Sequence, residues 1–147
     1  MRTPGRTIAL ALFTCGALVV DARAELFSKT YTFKANTKLE VGAELPGGLR
    51  FDSVEFVLPK GEESDDSTFG GPKAKVTISN LGKTSATVAI AIAVTDADGR
   101  LVGVANGGTK LFPLRAGRQM AYSLDFGGVN SQLATGTVFR ISVELKP

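Results

Sequence analysis

The sequence predicts an all-β protein folded as a single antiparallel β-sandwich, and three observations carry that expectation. Apolar residues recur at every second position rather than every third or fourth, which is the period of a strand with one face in a core. Glycine-rich breaks punctuate the chain at short intervals, each able to supply the positive backbone angle that a turn needs. No helix pattern competes with the strands after residue 24.

The first 24 residues stand apart from that domain. MRTPGRTIALALFTCGALVVDARA has the three parts of a secretory signal peptide: Arg2 and Arg6 at a charged start, an apolar run from Thr7 to Val20, and small residues in Ala22-Arg23-Ala24 for cleavage. The apolar run falls short of the roughly 20 residues that a permanent bilayer helix requires, so no transmembrane anchor is expected. Cleavage after Ala24 leaves a chain from Glu25 to Pro147, a length that suits one domain with its own core. The rival reading takes Leu12-Phe13-Thr14-Cys15 as a lipobox with Cys15 lipidated, although Phe13 and Thr14 fit it poorly and the apolar run continues past them.

Taken in order, the strands begin with Thr30-Tyr31-Thr32-Phe33. The run Leu49 to Leu58 changes phase: Leu49 and Phe51 share one parity, while Val54, Phe56 and Leu58 share the other, so a bulge or break is expected near Ser53. Val76 and Ile78 are the apolar pair of the next strand. Thr87 to Val94 follows, with Val88, Ile90, Ile92 and Val94 on one face and only alanine between them. That alternation has period two and ends at a turn signal, which favours a central strand over a helix. Asp98-Gly99 then reverses the chain as a two-residue hairpin into Leu101, Val102 and Val104. Met120, Tyr122, Leu124 and Phe126 form a further alternating set, and Phe139, Ile141, Val143 and Leu145 alternate with Arg140, Ser142, Glu144 and Lys146. Turns are expected at Pro46-Gly47-Gly48, Gly70-Gly71-Pro72, Asn80-Leu81-Gly82, Asn106-Gly107-Gly108, Ala116-Gly117 and Gly127-Gly128. The count is about seven to nine strands, which points to an immunoglobulin-like sandwich.

Composition excludes several kinds of chemistry. The formal net charge is +3, and losing Arg2, Arg6, Arg23 and Asp21 brings it close to neutral, without the basic face that nucleic acid binding demands. Histidine is absent and Cys15 is the only cysteine. Zinc, copper and haem sites therefore lack their usual ligands, and nucleophilic catalysis lacks its usual base. A carboxylate pair or a serine with a lysine base has no recognisable motif here, so no enzymatic activity and no cofactor are expected. Tryptophan is absent too, and Tyr31 and Tyr122 lie in strand patterns that predict burial, which argues against an aromatic platform for sugars.

Three features remain as candidate sites. Asp96 and Asp98 fall where an apolar strand must reverse, and a turn alone explains them. Calcium needs about six or more oxygens, which they could reach only with help from a second loop, Pro59 to Pro72. That loop carries Glu62, Glu63, Asp65 and Asp66; its four carboxylates repel one another and are expected to stay solvated. Phe69, between small residues and glycine, is a candidate anchor for a partner. The light face of the long strand, Ala89, Ala91 and Ala93, is a candidate contact for a partner or a second copy of the chain.

The order Val76-Thr77-Ile78-Ser79-Asn80, Val88 to Val94, Asp96-Ala97-Asp98-Gly99 and Leu114-Arg115-Ala116-Gly117 resembles the bacterial extracytoplasmic immunoglobulin-like or fibronectin-like modules of the FxLYD type, over roughly Lys73 to Phe126. The signature motif would fall on Ile92 to Asp96 and keeps only Asp96. The resemblance implies an accessory or interaction module without catalysis and supplies no functional residues. The expectation is thus a periplasmic or secreted domain that binds a protein partner of the cell envelope or surface. The competing class is a calcium- or ligand-binding sandwich using residues 61–66 and the Asp96/Asp98 turn.

Overall fold

In the computed structural model, which describes residues 25–59, 71–127 and 129–146, the two-residue alternation becomes eight strands. They are β1 (Glu25–Thr32), β2 (Lys38–Leu45), β3 (Leu49–Val57), β4 (Lys73–Asn80), β5 (Thr87–Thr95), β6 (Leu101–Gly108), β7 (Gln119–Asp125) and β8 (Val138–Lys146). A single helical turn, α1 (Asn130–Leu133), precedes β8. The strands form two antiparallel four-stranded sheets, ordered β1-β8-β5-β6 and β2-β3-β4-β7. The all-β sandwich predicted from the alternation is therefore present. An immunoglobulin constant domain pairs its first two strands in one sheet; here β1 pairs with the last strand and β2 lies in the other sheet. Among the described residues no helix is long and apolar enough to cross a membrane.

The core fills the space between the sheets. Val88, Ile90, Ile92 and Val94 from β5 and Phe139, Ile141 and Val143 from β8 are essentially inaccessible, and they face Phe51, Val54, Phe56, Val76, Ile78 and Leu124 of the second sheet. Removing such a side chain from water contributes roughly 1.5–3 kcal/mol. An aromatic cluster occupies the middle: Phe56 packs edge-on to Phe139 at 4.9 Å and against Phe33 at 4.6 Å, and Tyr31 stacks on Phe139 at 5.5 Å. Tyr122 is buried as expected and Tyr31 half-buried. Met120, at the start of edge strand β7, is 40% exposed despite its inward parity.

The phase break in β3 is a bulge, as its sequence predicts. Phe51 pairs with Ile78 and Ser53 with Thr77, so Asp52 has no partner on β4. On the other side β2 carries its own irregularity, with Val41 and Gly42 fitted between the pairs Glu40–Ser53 and Ala43–Phe51. Two turn expectations need correction. Asn106-Gly107-Gly108 belongs to β6 rather than to a turn, because glycine there lets Leu124 of the opposite sheet lie directly over the backbone. The hairpin after β5 closes around three residues, Ala97, Asp98 and Gly99, rather than two. Asp96 and Arg100 still pair across it, Asp96 N–H to the Arg100 carbonyl at 3.0 Å, and Gly99 takes the left-handed conformation with φ 78°. This is the three-residue alternative that ends in a left-handed glycine.

Candidate functional site

On the outer face of the second sheet, residues pointing away from the core line a groove of about 790 Å³ that runs across all four strands. β2 supplies Lys38 and Glu40, β3 supplies Arg50, Asp52 and Glu55, β4 supplies Lys75 and Thr77, and β7 supplies Gln119. Register explains the arrangement. Arg50, Ser79 and Gln119 form one cross-strand row, and Lys38, Glu55 and Lys75 form another. Charges in the second row alternate in sign, the arrangement that directly opposite positions favour.

Asp52 stands between these rows. Freed from pairing with β4 by the bulge, it reaches back over the first row and accepts from all three of its members. Arg50 Nε donates to Oδ1 at 2.6 Å, Ser79 Oγ to Oδ2 at 2.6 Å and Gln119 Nε2 to Oδ2 at 3.1 Å. Gln119 also donates to Ser79 Oγ at 3.2 Å. The Asp52 side chain is only 11% exposed, while Arg50 is 43% exposed. Burial alone would push the Asp52 carboxyl up, but hydrogen bonds from Ser79, Arg50 and Gln119, with the charge of Arg50, hold it below the ordinary carboxylate value. Beside it, Lys38 pairs with Glu40 at 2.6 Å, and that contact raises the lysine pKa. A carboxylate kept ionised in this way is a poor proton acceptor near neutral pH, so the groove offers fixed charges and hydrogen-bonding groups rather than an acid–base pair.

The residues singled out from sequence fall elsewhere. Asp96 caps its own turn: Oδ1 accepts from the backbone N–H groups of Asp98 and Arg100, both at 2.9 Å. The Asp98 carboxylate lies 3.6 Å from the Arg100 guanidinium in solvent. Glu62, Glu63, Asp65, Asp66 and Phe69 lie outside the described residues. Among the described residues no three acidic side chains converge as a metal site would require. Ala89 and Ala91 are exposed and Ala93 half-buried on the outer face of the first sheet, next to Glu144, Ser142 and Arg140 of β8. Sequence reasoning missed Asp52, although its signal was present in the phase break of β3, where two polar residues interrupt an otherwise apolar-alternating strand. No family model matches the chain, and comparison with curated proteins finds no relative.

Proposed function

We propose that this protein is an exported, non-catalytic β-sandwich that works by association with a protein partner of the cell envelope or surface. The observation that supports this reading best is the groove built around Asp52. Its charges of both signs are held at set spacings by strand register and by a carboxylate with three donors, so little side-chain freedom is lost when a complementary surface arrives. The leader-like first 24 residues and the resemblance of Lys73 to Phe126 to extracytoplasmic accessory modules point the same way. The absence of histidine and of thiols after Cys15 favours binding over catalysis.

The test is a charge reversal that leaves the core untouched. Glu55 and Lys75 face each other on neighbouring strands and line the groove. An envelope protein captured by the wild type should be released by Lys75→Glu, and recovered in part when Glu55→Lys is added. Equal capture by all three proteins would remove the groove from consideration. Mass spectrometry of the protein from the producing cell should find Glu25 as its first residue; a lipidated Cys15 would place the domain on a membrane by covalent anchor instead.

A further inference from the structure

One end of the sandwich is built from loops that the groove does not use. There β4 ends at Asn80, β6 ends at Gly108, β5 begins at Thr87 and β7 at Gln119. Asn80 is fully buried and joins two of the loops at this end into one unit. Its side-chain amide donates to the carbonyls of Thr84 at 2.8 Å and Leu114 at 2.9 Å, and its Oδ1 accepts from the Gly82 N–H at 2.9 Å. Its backbone bonds to Arg118 and Gly117, both at 2.8 Å.

The loop after β6 is pinned at two points. Thr109 N–H donates to the Val88 carbonyl at 2.8 Å, and the buried Leu114 exchanges two backbone hydrogen bonds with Ala86 at 2.9 and 3.0 Å. Between these pins Lys110-Leu111-Phe112-Pro113 is exposed at every residue. Leu111 is 86% exposed and Phe112 is 72% exposed, and Leu81 in the neighbouring loop is 63% exposed. The charged residues of the two loops are Lys83, Lys110, Arg115 and Arg118, all exposed, and residues 81–86 and 109–118 contain no aspartate or glutamate.

A scattered exposed leucine needs no explanation. A protruding Leu-Phe pair among cations of a single sign has the chemistry of an interfacial anchor: apolar side chains enter the headgroup–acyl boundary while lysine and arginine meet anionic headgroups. Apolar side chains as exposed as Leu111 and Phe112 suit a deformable lipid surface, whereas a protein would need a pocket of matching shape.

We propose that this tip docks the domain on an anionic lipid surface, with Leu111 and Phe112 inserting and Lys83, Lys110, Arg115 and Arg118 meeting the phosphates. The test is co-sedimentation of the purified protein with vesicles of phosphatidylcholine, with and without phosphatidylglycerol. The wild type should pellet only with the anionic vesicles, and less as salt rises. Leu111→Asp combined with Phe112→Asp should abolish pelleting while leaving the melting midpoint unchanged, since both side chains are exposed. Lys83→Ser and Lys110→Ser should each lower partitioning roughly fivefold. Absence of anion-dependent pelleting overturns the proposal, as does pelleting that survives the double aspartate variant. If the wild type ignores vesicles but holds an acidic protein through these same residues, the tip is a protein contact and the lipid assignment falls.

Discussion

A mostly buried carboxylate ordinarily titrates high, because burial disfavours its charged form. Asp52 moves the other way because Ser79, Arg50 and Gln119 all donate to it. Its folded pKa therefore lies below its unfolded one, and the unfolded chain takes up the proton first as pH falls. The stability it contributes is complete above the unfolded value of about 4 and is lost as pH falls through the folded one. Asp52→Asn should flatten this acid-side decline in urea melts taken from neutral pH downward; an unchanged acid limb would mean the network contributes nothing to stability. Asp52→Ala, which takes its acceptor from the buried Ser79 hydroxyl, should cost about 1–3 kcal/mol at neutral pH. At this scale legibility followed distance along the chain. The role of Asp96 could be read from its neighbours because its partners are two and four residues away. For Asp52 the phase break marked the position but not its partners, because Ser79 and Gln119 come from two other strands.

Strands were legible where the alternation was long, and their ends were not. The apolar alternation of β5 and β8 fixes both faces of the first sheet, and the parity change between Phe51 and Val54 located the β3 bulge. β2 was harder to single out, since Leu39, Val41 and Ala43 are only half-buried at an edge and Gly42 interrupts them in a left-handed conformation with φ 62°. β6 shows why a glycine pair can mislead: the same residues that permit a turn also permit close approach of another backbone. At Gly108, φ is 137° and an added Cβ would collide with the Val88 carbonyl oxygen. That carbonyl also accepts the Thr109 N–H, so it is not free to move aside. Gly108→Ala should therefore destabilise the fold by about 2 kcal/mol or more, through strain and the loss of this junction. Chemical denaturation measures it directly, and a cost below about 0.5 kcal/mol, typical of an ordinary surface substitution, would show that β6 can end elsewhere.

At the scale of the whole molecule, the feature beyond reach of sequence patterning is which strand lies beside which. Alternation says that β1 and β8 each have a buried face, but not that the first strand pairs with the last over its entire length. That pairing has a consequence for solubility. β1 is an edge strand, and Lys29, whose cross-strand partner is the inward-facing Ile141, places a charge on the core side of the edge and stays exposed. An inward-pointing charge of this kind discourages a further strand from adding. β8 has no such guard: Phe139, Ile141, Val143 and Leu145 make its inner face wholly apolar. A chain lacking residues 25–32 would expose the β8 backbone as a free edge and uncover the ring of Phe139 on which Tyr31 stacks. It should therefore associate edge to edge through β8. Sedimentation velocity should show larger species for the truncated protein than for the intact one, and Ile141→Lys in the truncated chain should reverse that shift in whatever fraction stays folded. A truncated chain that stays folded and sediments no larger than the intact protein would mean that β1 covers β8 without protecting it.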